Sequence, residues 1–242
     1  MLLNKIKKII GLDIGNHSIK LVSLIKQKNI FTVDRFSIDR IQSNTEQAIA
    51  EQIKNYKLAK TPVNISVNGA NVLSRYLPYP KMDKNEFKNA LGFEAEKHIP
   101  FPINEVYLDG FILKDLSDNK MLALIVAAKK KFVDDKLKLV LDLNVTAIDI
   151  DAMALVNAFS TFHQEVKETV ALLNIGSEIS NLCIVEDGIP QFSRDLLVGG
   201  NMFTQAIAEG MAIDKESAEK LKCDPSDKQD QVIPSTGAAK FA

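Results

Sequence analysis

Two stretches of this 242-residue chain carry residue types suited to holding a polyphosphate. In the first, Asp13-Ile14-Gly15-Asn16 leads through Ser18 to Lys20-Leu21-Val22. In the second, Asn174-Ile175-Gly176-Ser177 leads to Asn181-Leu182-Cys183, and the two stretches match without a gap. A glycine lets the backbone approach a phosphate closely. Successive N–H groups of such a turn form an anion nest. A carboxylate at the end of the first strand, here Asp13, can hold the water shell of Mg²⁺, which keeps several waters when bound. One Asp-Ile-Gly says little, because Asp and Gly fill turns everywhere. Two copies in the same strand–turn–strand context, one in each half, point to a duplicated fold. Facing one cleft, they would clamp a polyphosphate from both sides. A pair of ordinary tight hairpins is the plain alternative.

A third element has the same flavour. Asp195-Leu196-Leu197-Val198-Gly199-Gly200-Asn201 runs from a strand through two glycines into a helix, a plausible phosphate-side turn or a plain strand-to-helix loop. Lys20 is either a solvated strand residue or a phosphate contact. Other chemistries find little support. His17, His98 and His163 are scattered without acidic or cysteine partners at ligand spacing. There is no G-x-S-x-G and no Cys–His signature for covalent hydrolysis. Cys183 reads as a small buried hydrophobe on a strand, and Lys129-Lys130-Lys131 as a solvated turn.

The elements that must position these residues follow from hydrophobic period. Residues 9–14 and 19–25 read as strands, and Phe31, Val33, Phe36 and Ile38 suggest a third. A helix is expected at 46–56 and a strand at Val63, Ile65 and Val67. Asp83 with Glu86 forms a capping-box-like start. The helix behind it carries Phe87, Ala90, Leu91, Ala95 and His98, and ends before Pro100 and Pro102. Strands at 107–113 and 121–127 precede a helix at 131–141 with Val133, Leu137, Val140 and Leu141 on one face. A strand at 145–150 and a helix at 152–162 close the first half. The pattern restarts with strands at 170–174, 180–185 and 190–196 and helices at 201–209 and 215–222, then a polar tail after Asp224. Such alternation is α/β.

Composition sets bounds. With 46% hydrophobic residues the chain can bury one large core or two small ones. A net charge of −1 leaves no basic footprint for nucleic acid. Two cysteines make no disulfide framework, and a reducing compartment fits. No apolar run reaches the roughly 18 residues of a spanning helix. Residues 2–10 read as a tail entering a strand, with a membrane-touching amphipathic segment as the alternative.

The motif residues resemble those of the actin-like superfamily, which includes chaperone ATPases, actin, the division protein FtsA and the PilM family of type IV pilus assembly proteins. Ile10-Gly11-Leu12-Asp13-Ile14-Gly15 resembles its first phosphate motif, Leu173-Asn174-Ile175-Gly176 its second, and Ala218-Glu219-Lys220-Leu221-Lys222 the helix that meets ribose and adenine. The middle of the chain resembles the PilM family most: Leu77-Pro78-Tyr79-Pro80-Lys81-Met82, Phe93-Glu94-Ala95-Glu96-Lys97-His98-Ile99-Pro100-Phe101-Pro102, Glu105-Val106-Tyr107-Leu108-Asp109, Asp149-Ile150-Asp151-Ala152-Met153-Ala154-Leu155 and Arg194-Asp195.

That resemblance implies an actin-like (ribonuclease H-like) α/β fold of duplicated domains. Its parts would be subdomain 1A at 1–71, an inserted 1C subdomain at 72–143, the end of 1A at 144–169, and a partial second domain at 170–242. It implies ATP with Mg²⁺ held by Asp13, Gly15, Asn16, Ser18, Lys20, Asn174, Gly176, Ser177, Gly199, Gly200, Glu219 and Lys222, with Asp13 reaching the metal through water. It implies a cytoplasmic protein recruited to the inner-membrane pilus platform by the N-terminal peptide of PilN, with self-association a further option. An FtsA-like filament former and a turnover ATPase are the alternatives. Two departures bear on turnover and completeness. Asn174 stands where the second motif usually has Asp, which weakens the case for hydrolysis. No Gly-Gly turn follows Lys222, so a C-terminal truncation is expected.

Overall fold

The computed structural model describes residues 7–224 apart from 28, 29, 43, 59 and 60. Of the expected N-terminal segment 2–10, the part before Lys7 lies outside the described residues, as does the polar tail after Asp224, while 7–10 open the first strand. The chain forms two compact units: Met1–Asn174 with Asn181–Asp195, and Ile175–Ser180 with Leu196–Ala242.

The first unit opens with a five-stranded sheet in the order β3-β2-β1-β4-β8. Its strands are β1 (Lys7–Ile14), β2 (Ser18–Gln27), β3 (Ile30–Arg40), β4 (Pro62–Val67) and, later in the chain, β8 (Asn144–Ile150). The first three are antiparallel neighbours, whereas β1, β4 and β8 run parallel. Leu12, Ile14, Ile19, Leu21, Val63 and Ile65 bury one face of this sheet against Ile49 of helix α1 (Thr45–Asn55). Asn44 caps α1 by accepting from the Gln47 N–H at 2.7 Å.

A second, three-stranded sheet is inserted between β4 and β8, in the order β5-β7-β6. It comprises β5 (Val72–Pro80), β6 (Val106–Leu116) and β7 (Lys120–Lys129), with helix α2 (Lys84–Ala95) between β5 and β6. The Asp83–Glu86 capping box forms as expected. The α2 stripe stops at Ala95; His98 lies in the turn beyond, its N–H bonded to the Ala95 carbonyl. Strand β5, which contains Pro78 and Pro80, is not among the expected elements. It sits at the sheet edge, where a missing N–H costs no ladder bond.

Helix α3 (Lys130–Lys138) is shorter than expected. Its end tightens through backbone bonds from the Leu139 N–H to the Lys136 carbonyl and from the Val140 N–H to the Leu137 carbonyl. That change of phase turns Val140 and Leu143 into the core of the five-stranded sheet and leaves Leu141 exposed.

Helix α4 (Asp151–Phe162) follows β8, and strands β9 (Val170–Ile175), β10 (Ser180–Glu186) and β11 (Ile189–Leu196) form a third sheet in the order β11-β10-β9. Cys183 and Val185 are fully buried with Val67, Ile150, Ala152 and Val156 in a core of their own. The second unit carries helices α5 (Gly200–Met211) and α6 (Lys215–Cys223), packed on each other.

Candidate functional site

In the first unit the β1–β2 turn is built by strand register. Asp13 lies opposite Lys20 and Ile14 opposite Ile19. The Gly15 N–H donates to the Ser18 carbonyl at 3.1 Å, closing the loop over Asn16 and His17. Ile14 and Ile19 are buried, so the turn is anchored in the core and not on the surface. The Lys20 ammonium meets the Asp13 carboxylate at 2.6 Å, both half exposed. The sequence pattern therefore brings Asp13, Gly15, Asn16, Ser18 and Lys20 together.

Two further residues, Lys136 and Asp151, act on this turn without having been assigned a role from the sequence, and Asn68 holds one of them. The Lys136 ammonium of α3 donates to the Ile14 carbonyl at 2.6 Å. Burial lowers its pKa, opposed by the charges of Asp13 and Asp151. Asp151, first residue of α4, accepts from Asn68 at 2.5 Å. Burial pushes its carboxyl above the ordinary value, a Ser66 hydrogen bond pulls it down, and the Asp13 charge adds to the rise. These residues come from the ends of parallel strands β4 and β8 and from α3, far apart in the chain. Only the family-like stretch around Asp149–Asp151 hinted at any of them.

From Asn68 the polar line continues. The next residue, Gly69, has φ +87°, a conformation glycine reaches without cost. Its N–H donates to Asp195 at 2.5 Å. The other Asp195 oxygen accepts from Asn181 at 2.8 Å, and Asn181 accepts from Asn174 at 3.0 Å. Asn174 is thus held in a neutral amide chain that ends on a carboxylate.

The second unit gathers the remaining candidates. The Gly176 N–H donates to the Ile179 carbonyl at 3.0 Å, the same closure as in the first turn. The turn is then stitched to the start of α5: Gly200 N–H to Gly176 carbonyl and Asn201 N–H to Ser177 carbonyl, both at 2.8 Å. Gly199 is required by space. A Cβ there would stand 2.6 Å from the Ser177 backbone. The Lys222 ammonium of α6 bonds Glu219 at 2.6 Å, Thr204 at 2.8 Å and the Gly200 carbonyl at 3.1 Å. With Lys222 and Thr204 as donors, the Glu219 carboxyl is held well below its ordinary value of 4.5, at about 2. Gly176, Ser177, Gly199, Gly200, Glu219 and Lys222 thus form one network, with Thr204 as a member the sequence did not reveal.

The mixed sheet and its paired strand–turn–strand motifs define a protein of the actin-like α/β class. Residues 11–232 match the family described as type IV pilus assembly protein PilM, and the chain belongs to that family. Among solved structures, the PilM–PilN type IV pilus biogenesis complex aligns at a TM-score of 0.76 and 27% identity, over 88% of this chain and 68% of that one. The cytoplasmic domain of EpsL, an inner-membrane component of the type II secretion system of Vibrio cholerae, aligns at 0.52 and 11% identity, over 86% and 78%. Among the described residues no helix is long and apolar enough to cross a membrane.

Proposed function

We propose that this chain is a cytoplasmic adaptor of the type IV pilus inner-membrane platform that binds Mg·ATP and captures a PilN-type N-terminal peptide, with little or no turnover. The observation that carries the reading is the match, at 27% identity and a TM-score of 0.76, to a PilM–PilN complex. The donor set fits the cofactor. Asp13 offers a half-exposed carboxylate to metal-bound water, and Lys20, beside it, an ammonium to phosphate oxygens. Bound Mg²⁺ would neutralise phosphate charge. The chain's own part is to orient: Lys136 holds the turn through the Ile14 carbonyl, and Lys222 and Glu219 hold the start of α5. Asn174, an amide bonded to another amide, brings no charge for activating water, which favours binding over hydrolysis.

In this reading the peptide surface lies in the first half, around 1A and the inserted sheet; the concentration of family-like residues there supports it. Localisation at the membrane follows from that partner. Calorimetry with Mg·ATP and a titration of fluorescent PilN N-terminal peptide test the two arms. Asp13→Ala should lose about 1.5–3 kcal/mol, roughly tenfold or more in Mg·ATP affinity, with peptide affinity retained in the apo state. Unchanged Mg·ATP affinity removes Asp13 from the site, and absence of peptide binding removes the adaptor role.

A further inference from the structure

The Asn174–Asn181–Asp195 chain has a direction. An amide's oxygen and nitrogen are alike in shape, so which way each one points is decided by its partners. Here the far end is fixed. Both oxygens of Asp195 are occupied: one accepts from the Gly69 N–H at 2.5 Å and the other from the Asn181 amide nitrogen at 2.8 Å. A carboxylate only accepts, so Asn181 must turn its nitrogen to Asp195 and its oxygen the other way. Asn181 is 1% exposed, so solvent does not take over either bond. Asn174 therefore meets that oxygen with its own nitrogen, at 3.0 Å. What is left over is the Asn174 carbonyl oxygen, on an exposed residue and with no further hydrogen bond among the described residues.

We infer that Asp195 is the positioning residue of the second motif: through Asn181 it turns the Asn174 amide so that a carbonyl oxygen, and not an NH2 group, is the atom offered to a ligand. The inference rests on the reading of these motifs as a Mg·ATP site, and it names the ligand atom that Asn174 takes. An outward oxygen repels phosphate oxygens and accepts from a donor, which in Mg·ATP is metal-bound water. The same direction accounts for the residue type at 174. A carboxylate there would set two acceptors face to face, its own and the Asn181 oxygen that Asp195 holds in place. The second motif thus keeps its charge two links back, at Asp195, and carries an amide at its tip.

The direction can be reversed. In Asp195→Asn the Gly69 N–H claims the new amide's oxygen, its nitrogen faces Asn181, and both asparagines turn over, so that Asn174 offers NH2. In Asn174→Asp alone two acceptors collide. In the double variant Asn174→Asp/Asp195→Asn every bond is restored, with the charge moved to the tip. Thermal unfolding of the nucleotide-free full chain should show Asn174→Asp melting about 3–8 °C below the parent, with the double variant recovering most of that loss. Calorimetry with ATP, with and without Mg²⁺, gives the second readout. Asp195→Asn should lose about tenfold or more of the affinity that Mg²⁺ adds, with metal-free ATP no weaker, and the double variant should regain it. A residue that only braces the fold would weaken both forms of ATP alike. An Asn174→Asp chain as stable as the parent, or a double variant no more stable than Asn174→Asp, overturns the inference. So does a Mg²⁺ gain that Asp195→Asn leaves unchanged. A parent chain that binds no Mg·ATP, with the unfolding cycle intact, keeps Asp195 as the residue that directs the amides and removes the nucleotide reading instead.

Discussion

The two turns are the same device in two electrostatic states. Each closes with one backbone bond across four residues, Gly15 to Ser18 at 3.1 Å and Gly176 to Ile179 at 3.0 Å. Each joins the residue before the turn to the residue seven positions on: Asp13 to Lys20 at 2.6 Å, and Asn174 to Asn181 at 3.0 Å. In the first turn that pair is ionic and half exposed, and a half-buried ammonium, Lys136, steadies the turn through the Ile14 carbonyl. In the second the pair is two neutral amides. The support there comes from backbone, through the N–H groups of Gly200 and Asn201. The difference teaches where charge is free to act. Asp13 and Lys20 can exchange each other for a ligand, whereas Asn174 is committed to an amide chain ending on Asp195.

The sharpest way to test that equivalence is steric. A Cβ on Gly176 would stand 2.5 Å from the Ile179 carbonyl oxygen, and one on Gly15 3.0 Å from that of Ser18. Both obstacles are backbone, so neither yields as a flexible side chain would. Gly176→Ala is expected to cost about 2–3 kcal/mol in urea unfolding and Gly15→Ala about 1 kcal/mol. Equal losses would mean that the second turn is no more tightly stitched than the first.

How much of this was legible beforehand varies by the range of the interaction. The duplicated turns could be read because Asp13, Gly15, Asn174 and Gly176 sit at matching local positions, and turn chemistry is local. The capping box at Asp83 is local too, and it formed. Lys136, Asp151 and Asn68 escaped because their roles depend on parallel pairing of β4 with β8, contacts that span the whole inserted sheet. Strand β5 escaped because its prolines are tolerable only at an edge, and edge position is a property of the sheet. The apolar residues of β3 were read correctly as strand. That Phe36 and Ile38 face solvent and not a core was not readable, since period alone does not say what covers a face.

The second test concerns how each unit holds its carboxylate. Glu219 receives hydrogen bonds from Lys222 and Thr204, and its pKa falls from 4.5 to about 2. A lowered folded value means that the stabilisation is present above 4.5 and is lost as the pH drops towards 2. Its side chain is about a quarter exposed, 26%, so solvent screens part of the effect. Glu219→Gln should therefore cost about 1–2 kcal/mol at pH 7. The difference from the parent chain should shrink steadily as unfolding is followed below about pH 4 by circular dichroism. A constant difference across that range would show that packing, not charge, holds α6 to the start of α5.

Asp151 in the first unit should behave with the opposite sign, and the effect should be the smallest of the three. Burial is the main cause of its raised pKa, and the Asp13 charge adds to it, while Ser66, Asn68 and Lys136 pull the other way. A raised folded value means that the folded chain holds this proton more firmly than the unfolded chain does. The contribution is therefore full below the ordinary value of 3.8 and is lost as the pH rises through the folded value. Asp151→Asn keeps an acceptor for the Asn68 amide and removes the charge that burial disfavours. Relative to this variant, the parent chain should lose stability as the pH climbs through that window, while relative to Glu219→Gln it gains. Unfolding free energies of both variants, measured over one pH series, show this as slopes of opposite sign. Matching slopes would mean that Asp151 is ionised and paired with Lys136 as firmly as Glu219 is with Lys222, and the contrast between a charge-ready first unit and a self-satisfied second one would fall.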